Sequence, residues 1–305
     1  MHNNVFWILR PAGRLGNQLS TYAYFMSHCL ENDGTLINFP FEEYGQYFQG
    51  TVENPSNRFP PKPDSLKSGI SRKTAHMALR TLDRLDKYTL KNLGRISKGS
   101  LIDEDNMAVL KTHKHIVPTS WWISDFEALV KHQDAVREYF KPVEGVQKQI
   151  DANMATLRSK SDFVIGIHIR QTDYQSVVPD YYYTHEIYAD YMRQAANLFA
   201  DKSPTFFICS DSPVPEEPFA EFDYVSFSQG PVEDMYTLAA CDRIIGTKSS
   251  FNSWASFYGR VPMYWIVGKQ RPLLEAEFLR FAPGFIPQHS RQSLCGQGHA
   301  YFGGA

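Results

Sequence analysis

The chain has 305 residues, 43% of them hydrophobic and 14% aromatic, and its 31 Lys+Arg against 33 Asp+Glu leave a net charge of -2. That length is a prior for two domains, and the apolar share supplies a sizeable core and argues against disorder. There is no basic excess of the kind that nucleic-acid or membrane-surface binding calls for, so neither partner is expected.

Residues 5–9 form an apolar run that reads as a buried strand, too short for a signal-peptide core or a membrane span. A glycine-bearing loop follows at 11–16. A helix is predicted over 17–32, with Leu19, Ala23, Met26 and Leu30 at helical spacing, stopped by Gly34. Residues 35–39 are the next strand, which makes a β-α-β opening. The segment 54–63 holds four prolines and is a loop. Residues 71–93 are helical and rich in Lys and Arg, the pattern of a solvated face. A helix over 124–140 closes at Pro142, and a linker-like helix over 143–158 follows.

The alternation then restarts. Residues 163–169 are a strand whose mostly apolar run suits the centre of a parallel sheet. A helix at 185–199, strands at 205–209 and 224–227, and a helix at 233–241 come next. A strand at 243–246, a helix at 250–258 and a strand at 261–267 complete the series. The chain is therefore expected to be α/β, with a first domain over 1–150, a second over 151–288 and a loop-like tail over 289–305. No stretch reaches about 18 uninterrupted apolar residues, so no transmembrane segment is expected. Cys29, Cys209, Cys241 and Cys295 form no C-x-x-C pair and read as free thiols, which points to a cytoplasmic protein.

In open α/β sheets ligands bind beyond the carboxyl ends of the strands. The strand 163–169 runs into His168, Arg170, Thr172 and Asp173, the strand 205–209 into Ser210 and Asp211, and the strand 243–246 into Thr247, Lys248, Ser249 and Ser250. These clusters suit a sugar diphosphate. Arg170 offers a fork of donors for phosphate oxygens. Ser249 and Ser250 add hydroxyls and a helix N-terminus. Asp211 is a candidate acceptor for a base edge or a ribose, and His168 a residue lining the nucleotide. In the first domain Gly13-Arg14-Leu15-Gly16-Asn17-Gln18 lacks both the dinucleotide fingerprint and the P-loop pattern, and Asn17 reads as the cap of the following helix.

That loop, with Leu19, resembles the G-x-L-G-N-Q-L opening of bacterial alpha-1,2-fucosyltransferases, glycosyltransferase family eleven. His168-Ile169-Arg170-Gln171-Thr172-Asp173-Tyr174 resembles the family's His-x-Arg-Arg-Gly-Asp-Tyr. The run from Phe206 to Asp211 resembles its FF-x-x-SDD strand, and Glu233-Asp234-Met235 with Cys241 its ED-x-x-x-M-x-x-C helix. Ser249-Ser250-Phe251, with Trp254 and Ala255, resembles its NS-S/T-F-S-W-W-A segment. The order and gaps match from residue 13 to about 265.

The resemblance implies a GT-B-like fold of two Rossmann-type domains with parallel sheets facing a cleft. It also implies a GDP-fucose donor in the second domain, a saccharide acceptor reached through the first, and no metal or other cofactor. It places Gly16, Asn17, Gln18, His168, Asp211, Lys248, Ser249, Ser250 and Phe251 around the nucleotide sugar. The departures are Gln171 for the second Arg, Thr172 for Gly, Ser212 for a second Asp, and Lys248 for Asn, with Asn252-Ser253 for Ser-Trp; Lys248 is a candidate to restore the missing charge.

The expected reaction is inverting transfer, with Arg170 meeting the charge that grows on the leaving diphosphate. Asp173 is the first candidate for general base and Asp180 the second. Tyr181, Tyr182, Tyr183, Trp121 and Trp122 are candidates for stacking on sugar. Three other readings compete: a metal-dependent transferase using Asp103-Glu104-Asp105 as a D-x-D site, a non-catalytic nucleotide-sugar or saccharide binder on the same scaffold, and a transferase using another nucleotide sugar. His113 and His115 lack the further ligands that a structural metal needs.

Overall fold

The computed structural model describes residues 3–54, 57–61, 69–85, 93–120, 122–227, 229–268 and 271–279. The chain divides into two compact units after Glu144. The first contains β1 (Val5–Ile8), α1 (Leu15–Asn32), β2 (Thr35–Asn38), α2 (Glu42–Gly45), α3 (Gln49–Val52), β3 (Arg58–Phe59) and α4 (Gly69–Leu85). It continues through β4 (Gly94–Ile96), β5 (Gly99–Ser100), α5 (Glu104–Thr112), β6 (His115–Pro118), β7 (Ile123–Ser124) and α6 (Phe126–Tyr139). Its main sheet has the order β3-β2-β1-β6-β4. The pairs are parallel except β2 with β3.

The β-α-β opening is present, but α1 starts at Leu15, two residues earlier than the sequence suggests. Its cap is Arg14, in extended backbone with no side-chain bond, so Asn17 lies inside the first turn. Gly13 takes a left-handed φ of 62°, and a Cβ there would meet Asn17 Nδ2 at 2.7 Å. The side chain of Asn17 therefore packs over the loop instead of capping the helix, and Gln18 Nε2 donates back to the Gly13 carbonyl at 3.1 Å. α6 has a true side-chain cap: Asp125 Oδ1 accepts from the Ala128 N–H at 3.0 Å. Its other oxygen meets His28 Nδ1 of α1 at 2.7 Å, with both side chains buried.

The acidic run at 103–105 is the start of α5. Asp103 is its N-cap residue and accepts the Ser100 N–H on Oδ2 at 2.7 Å, and Glu104 and Asp105 lie in the first turn. Carboxylates at that place complement the helix dipole. Among the described residues no group of three or more His, Cys, Asp or Glu is placed to hold a metal ion. The residues 86–92, Trp121, Cys295 and the tail over 289–305, on which sequence expectations fall, lie outside the described residues.

The second unit opens within α7 (Glu144–Arg158) and contains β8 (Val164–Ile169), α8 (Tyr174–Val177), α9 (His185–Leu198), β9 (Thr205–Ser210) and β10 (Tyr224–Val225). α10 (Pro231–Leu238), β11 (Arg243–Gly246), α11 (Ser250–Gly259) and β12 (Met263–Trp265) complete it. Its sheet is wholly parallel, in the order β10-β9-β8-β11-β12. β8 lies at the centre, and every one of its six residues is buried. A strand covered on both faces is apolar throughout, and each isoleucine buried there is worth about 1.5–3 kcal/mol over leaving it in water.

Ile165, Ile167 and Ile169 pack with Tyr188, Tyr191 and Met192 of α9. The alternate residues face α10 and α11. Gly166 admits Leu238 and Cys241, whose atoms a Cβ would meet at 2.5 and 3.2 Å. The two helices touch at their far ends, where a Cβ on Gly259 would lie 1.8 Å from the Ala239 carbonyl oxygen. No helix among the described residues is long and apolar enough to cross a membrane.

Candidate functional site

The chain order of the second sheet reverses at its centre: β8, β9 and β10 run outward on one side, then β11 and β12 on the other. The crevice between β8 and β11 is thus a topological switch point, where helices depart to opposite faces and leave room for a ligand. The register sets His168 beside Gly246 and beside Cys209. The segments that leave these strand ends are the ones that carry the polar clusters.

Arg170, the first residue after β8, is held between two carboxylates. Its NH1 meets Asp211 Oδ2 at 3.0 Å and its NH2 meets Asp173 Oδ1 at 2.7 Å. The guanidinium also lies 5.3 Å from the centre of the Tyr174 ring, and its Nε is buried with no hydrogen-bond partner. Asp211 further accepts the Gln171 N–H at 2.8 Å and the Thr172 hydroxyl at 2.5 Å. Burial alone would raise the Asp211 carboxyl, but the Thr172 hydroxyl, the Gln171 amide and Arg170 hold it below the usual carboxylate range. Asp211, expected at a base edge or ribose, thus has both oxygens engaged by the Arg170 loop. Gln171, at the position of the missing arginine, donates its side-chain amide to the Tyr183 carbonyl at 2.8 Å.

The β11 end closes on the same loop. The Tyr174 hydroxyl donates to the Lys248 carbonyl at 2.9 Å, and the Thr247 hydroxyl to the Tyr181 carbonyl at 2.6 Å. The Lys248 ammonium lies over the rings of Tyr181 and Trp265, 5.2 and 6.0 Å from their centres. Ser249 caps α11, its hydroxyl accepting the Phe251 N–H at 3.2 Å. Ser250 opens the helix, half-buried. A guanidinium, an ammonium and a capped helix N-terminus thus gather on adjacent strand ends, a set of donors and positive charge that fits an anion.

A second group lies on the face toward α10 and α11. The His168 ring stacks on Phe251, with centres 4.8 Å apart and planes 15° apart. Burial, then the neighbouring Arg170, pull His168 down to about 3, so the ring is neutral near neutral pH. Asp234, in the first turn of α10, lies close enough to Cys209 to disfavour its thiolate after burial has already done so. Burial and Glu233 push the Asp234 carboxyl up to about 7. His168 Nδ1, Asp234 Oδ1 and Asn252 Oδ1 are all buried without a partner. Buried polar atoms are nearly always paired, and three orphans on one face make it a candidate for ligand contact.

Of the sequence candidates, His168, Arg170, Asp173, Asp211, Lys248, Ser249, Ser250 and Phe251 come together here. Asp180 is exposed. Tyr183 is buried and bonded to the Ile266 carbonyl at 3.1 Å. Trp122 is exposed in the first unit. Gly16, Asn17 and Gln18 belong to the first unit, beside the end of β1, where the order β2-β1-β6 makes that sheet's own switch point. Reading from sequence quoted Asp234 only as part of a motif and did not offer it as a candidate for the site. The signal was an acidic pair opening a helix, next to the Gly-Pro at 230–231.

The sequence model of glycosyl transferase family 11 matches residues 106–269, more than half of the chain. Among solved structures, a mutant of FUT1 from Arabidopsis thaliana, in complex with GDP, is 13% identical with a TM-score of 0.56. That match covers 89% of this chain and 73% of the other. NodZ alpha-1,6-fucosyltransferase from Bradyrhizobium, soaked with GDP-fucose, is 18% identical with a TM-score of 0.53, covering 86% of this chain and 95% of the other. Likenesses at this identity establish the fold, the two-unit α/β fold of GT-B-type transferases. No curated protein matches the sequence significantly. With five motifs in register, two doubly wound units and a family match across most of the second, the chain belongs to glycosyl transferase family 11.

Proposed function

We propose that the chain transfers fucose from GDP-fucose to a saccharide hydroxyl, with inversion at the sugar and without a metal ion. The observation that carries this reading is Arg170 at the switch point, poised between Asp173 and Asp211 beside Lys248 and the capped start of α11. The neighbours solved with GDP and GDP-fucose support the choice of nucleotide.

In this reading the guanine lies against His168 and Phe251, and Asp234 accepts its N–H donors, which a carboxylate is suited to do. The pyrophosphate reaches Arg170, Lys248 and Ser250. As the bond from the sugar to the diphosphate breaks, negative charge grows on the leaving oxygen, and preorganised donors at such a point are typically worth ~10²–10³ in rate each. The same donors supply the positive charge that a bound cation would supply elsewhere.

Asp173 is assigned as the base that takes the acceptor proton. Arg170 and the Thr172 hydroxyl meet its Oδ1, which leaves Oδ2 to face the acceptor. When the pyrophosphate draws the guanidinium, Asp173 is released from its ion pair to meet the acceptor hydroxyl.

The test is GDP release from GDP-fucose over a panel of saccharide acceptors, with and without excess EDTA. Acceptor-dependent release that survives EDTA supports the reading. Loss of activity on chelation removes the metal-free part, and binding of GDP-fucose with no release on any acceptor would make the chain a binder.

A further inference from the structure

The buried face of α7 is apolar at Val146, Ile150 and Leu157, yet the remaining core-facing position is Asn153, 2% exposed. A buried amide there is costly unless its bonds are all made. They are. Asn153 Nδ2 donates to Gln229 Oε1 at 2.8 Å and to the Thr237 hydroxyl at 3.0 Å. Its Oδ1 accepts from Gln229 Nε2 at 3.0 Å and from Gln149 Nε2 at 3.2 Å. Two donors and two acceptor positions are the whole capacity of the group.

Gln229 immediately precedes Gly230, the N-cap of α10, and Thr237 lies near the helix's other end. Gly230 gives α10 no side-chain cap, so the start of the helix is fixed from outside, by the reciprocal amide pair. That start carries Asp234.

We propose that Asn153, acting through Gln229 and Thr237, is a positioning residue that sets the Asp234 carboxylate for recognition of the guanine base. The inference rests on the assignment of Asp234 to guanine made above. A fully bonded polar group in an apolar row fixes one arrangement where a leucine would leave α10 free to shift, and a shift of α10 moves the carboxylate away from the base.

The experiment titrates GDP, ADP and UDP into the wild type, Asn153→Leu and Asp234→Asn by calorimetry, with melting temperatures measured alongside. Asn153→Leu is expected to weaken GDP by about tenfold, the loss of one charge-assisted bond. ADP and UDP should change little, and the melting temperature should stay within a few degrees, because the site is already a core position. Unchanged GDP affinity in the folded variant overturns the proposal, and so does an equal loss for all three nucleotides, which is what a purely structural role would give. If Asn153→Leu does not fold, Gln229→Ala, at an exposed position, makes the same test. Asp234→Asn separates the two readings: if it leaves GDP affinity unchanged, the guanine assignment itself fails. If it weakens GDP and neither bracket variant does, only the positioning role fails.

Discussion

Asp211 and Arg170 form the hinge of the site: one carboxylate at the end of β9 grips the guanidinium at 3.0 Å and, at 2.8 Å, the next backbone amide of the same loop. The guanidinium proposed for the diphosphate is thus held from a neighbouring strand as well as by Asp173 of its own loop. Removing Asp211 should therefore act through Arg170. Asp211→Asn keeps the shape but removes the charge, and about a tenfold loss in kcat/KM for GDP-fucose is expected, as for a supporting group behind a catalytic one. Steady-state kinetics on folded protein check it; unchanged kcat/KM would show that the loop holds itself.

Arg170→Ala removes the fork altogether. Turnover should fall by about 10²–10³. Arg170→Lys should recover only part of it, because an ammonium cannot make the two-pronged contact. Near-normal turnover in the alanine variant would remove Arg170 from the mechanism.

The raised carboxyl of Asp234 ties nucleotide affinity to pH. Without ligand it takes up a proton at about 7, whereas accepting the guanine N–H groups needs the ionised form. Binding must then expel a proton below that value, so GDP affinity should be nearly constant above pH 8 and about tenfold weaker at pH 6. UDP should show no such slope, and Asp234→Asn should flatten the GDP profile. Calorimetry across that range is the check.

His168 ties stability, rather than affinity, to pH. Its folded value of about 3 lies below the ordinary 6.5, so the stability it contributes is fully present above about 6.5. That stability is lost as pH falls from there toward 3, where burial of the charged ring opposes folding. The wild type should lose more melting temperature between pH 7 and pH 5 than His168→Phe. Equal losses would contradict a neutral buried ring.

Gly246 is fixed by contact. A Cβ there would meet Asn252 Nδ2 at 2.6 Å and the His168 carbonyl oxygen at 3.0 Å. Asn252 is fully buried and bonded to the Thr247 carbonyl at 2.7 Å. Gly246→Ala should cost about 1–3 kcal/mol of stability and weaken GDP, measured by denaturant unfolding and titration. A neutral alanine would mean that the β11 end yields more readily than its packing implies.

Much of the second unit was legible in the sequence because its signals are local. The run Val164 to Ile169 is apolar by the demands of a central parallel strand, and the polar residues that follow it mark the strand's open end. β6 was not legible: its four residues begin with an exposed histidine and end in proline, and only its place between β1 and β4 makes it a strand. The part of Asp211 was missed for a related reason. Its type says acceptor, but its partners come from a residue 41 positions earlier, and such a pairing shows only once β8 and β9 lie in register. Asp234 showed in the sequence as an acidic pair, while its burial depends on how α10 lies against the sheet.

The near-contact between Gly259 and Ala239 has a mechanical meaning. α10 and α11 are joined like the arms of a pair of callipers whose rivet lies at the C-terminal ends of the helices, and whose tips are Asp234 on one arm and Ser249 to Phe251 on the other. A side chain forced in at the rivet would splay the tips without touching them, so the gauge of the proposed nucleotide site is set by two small residues at the opposite end of the helices.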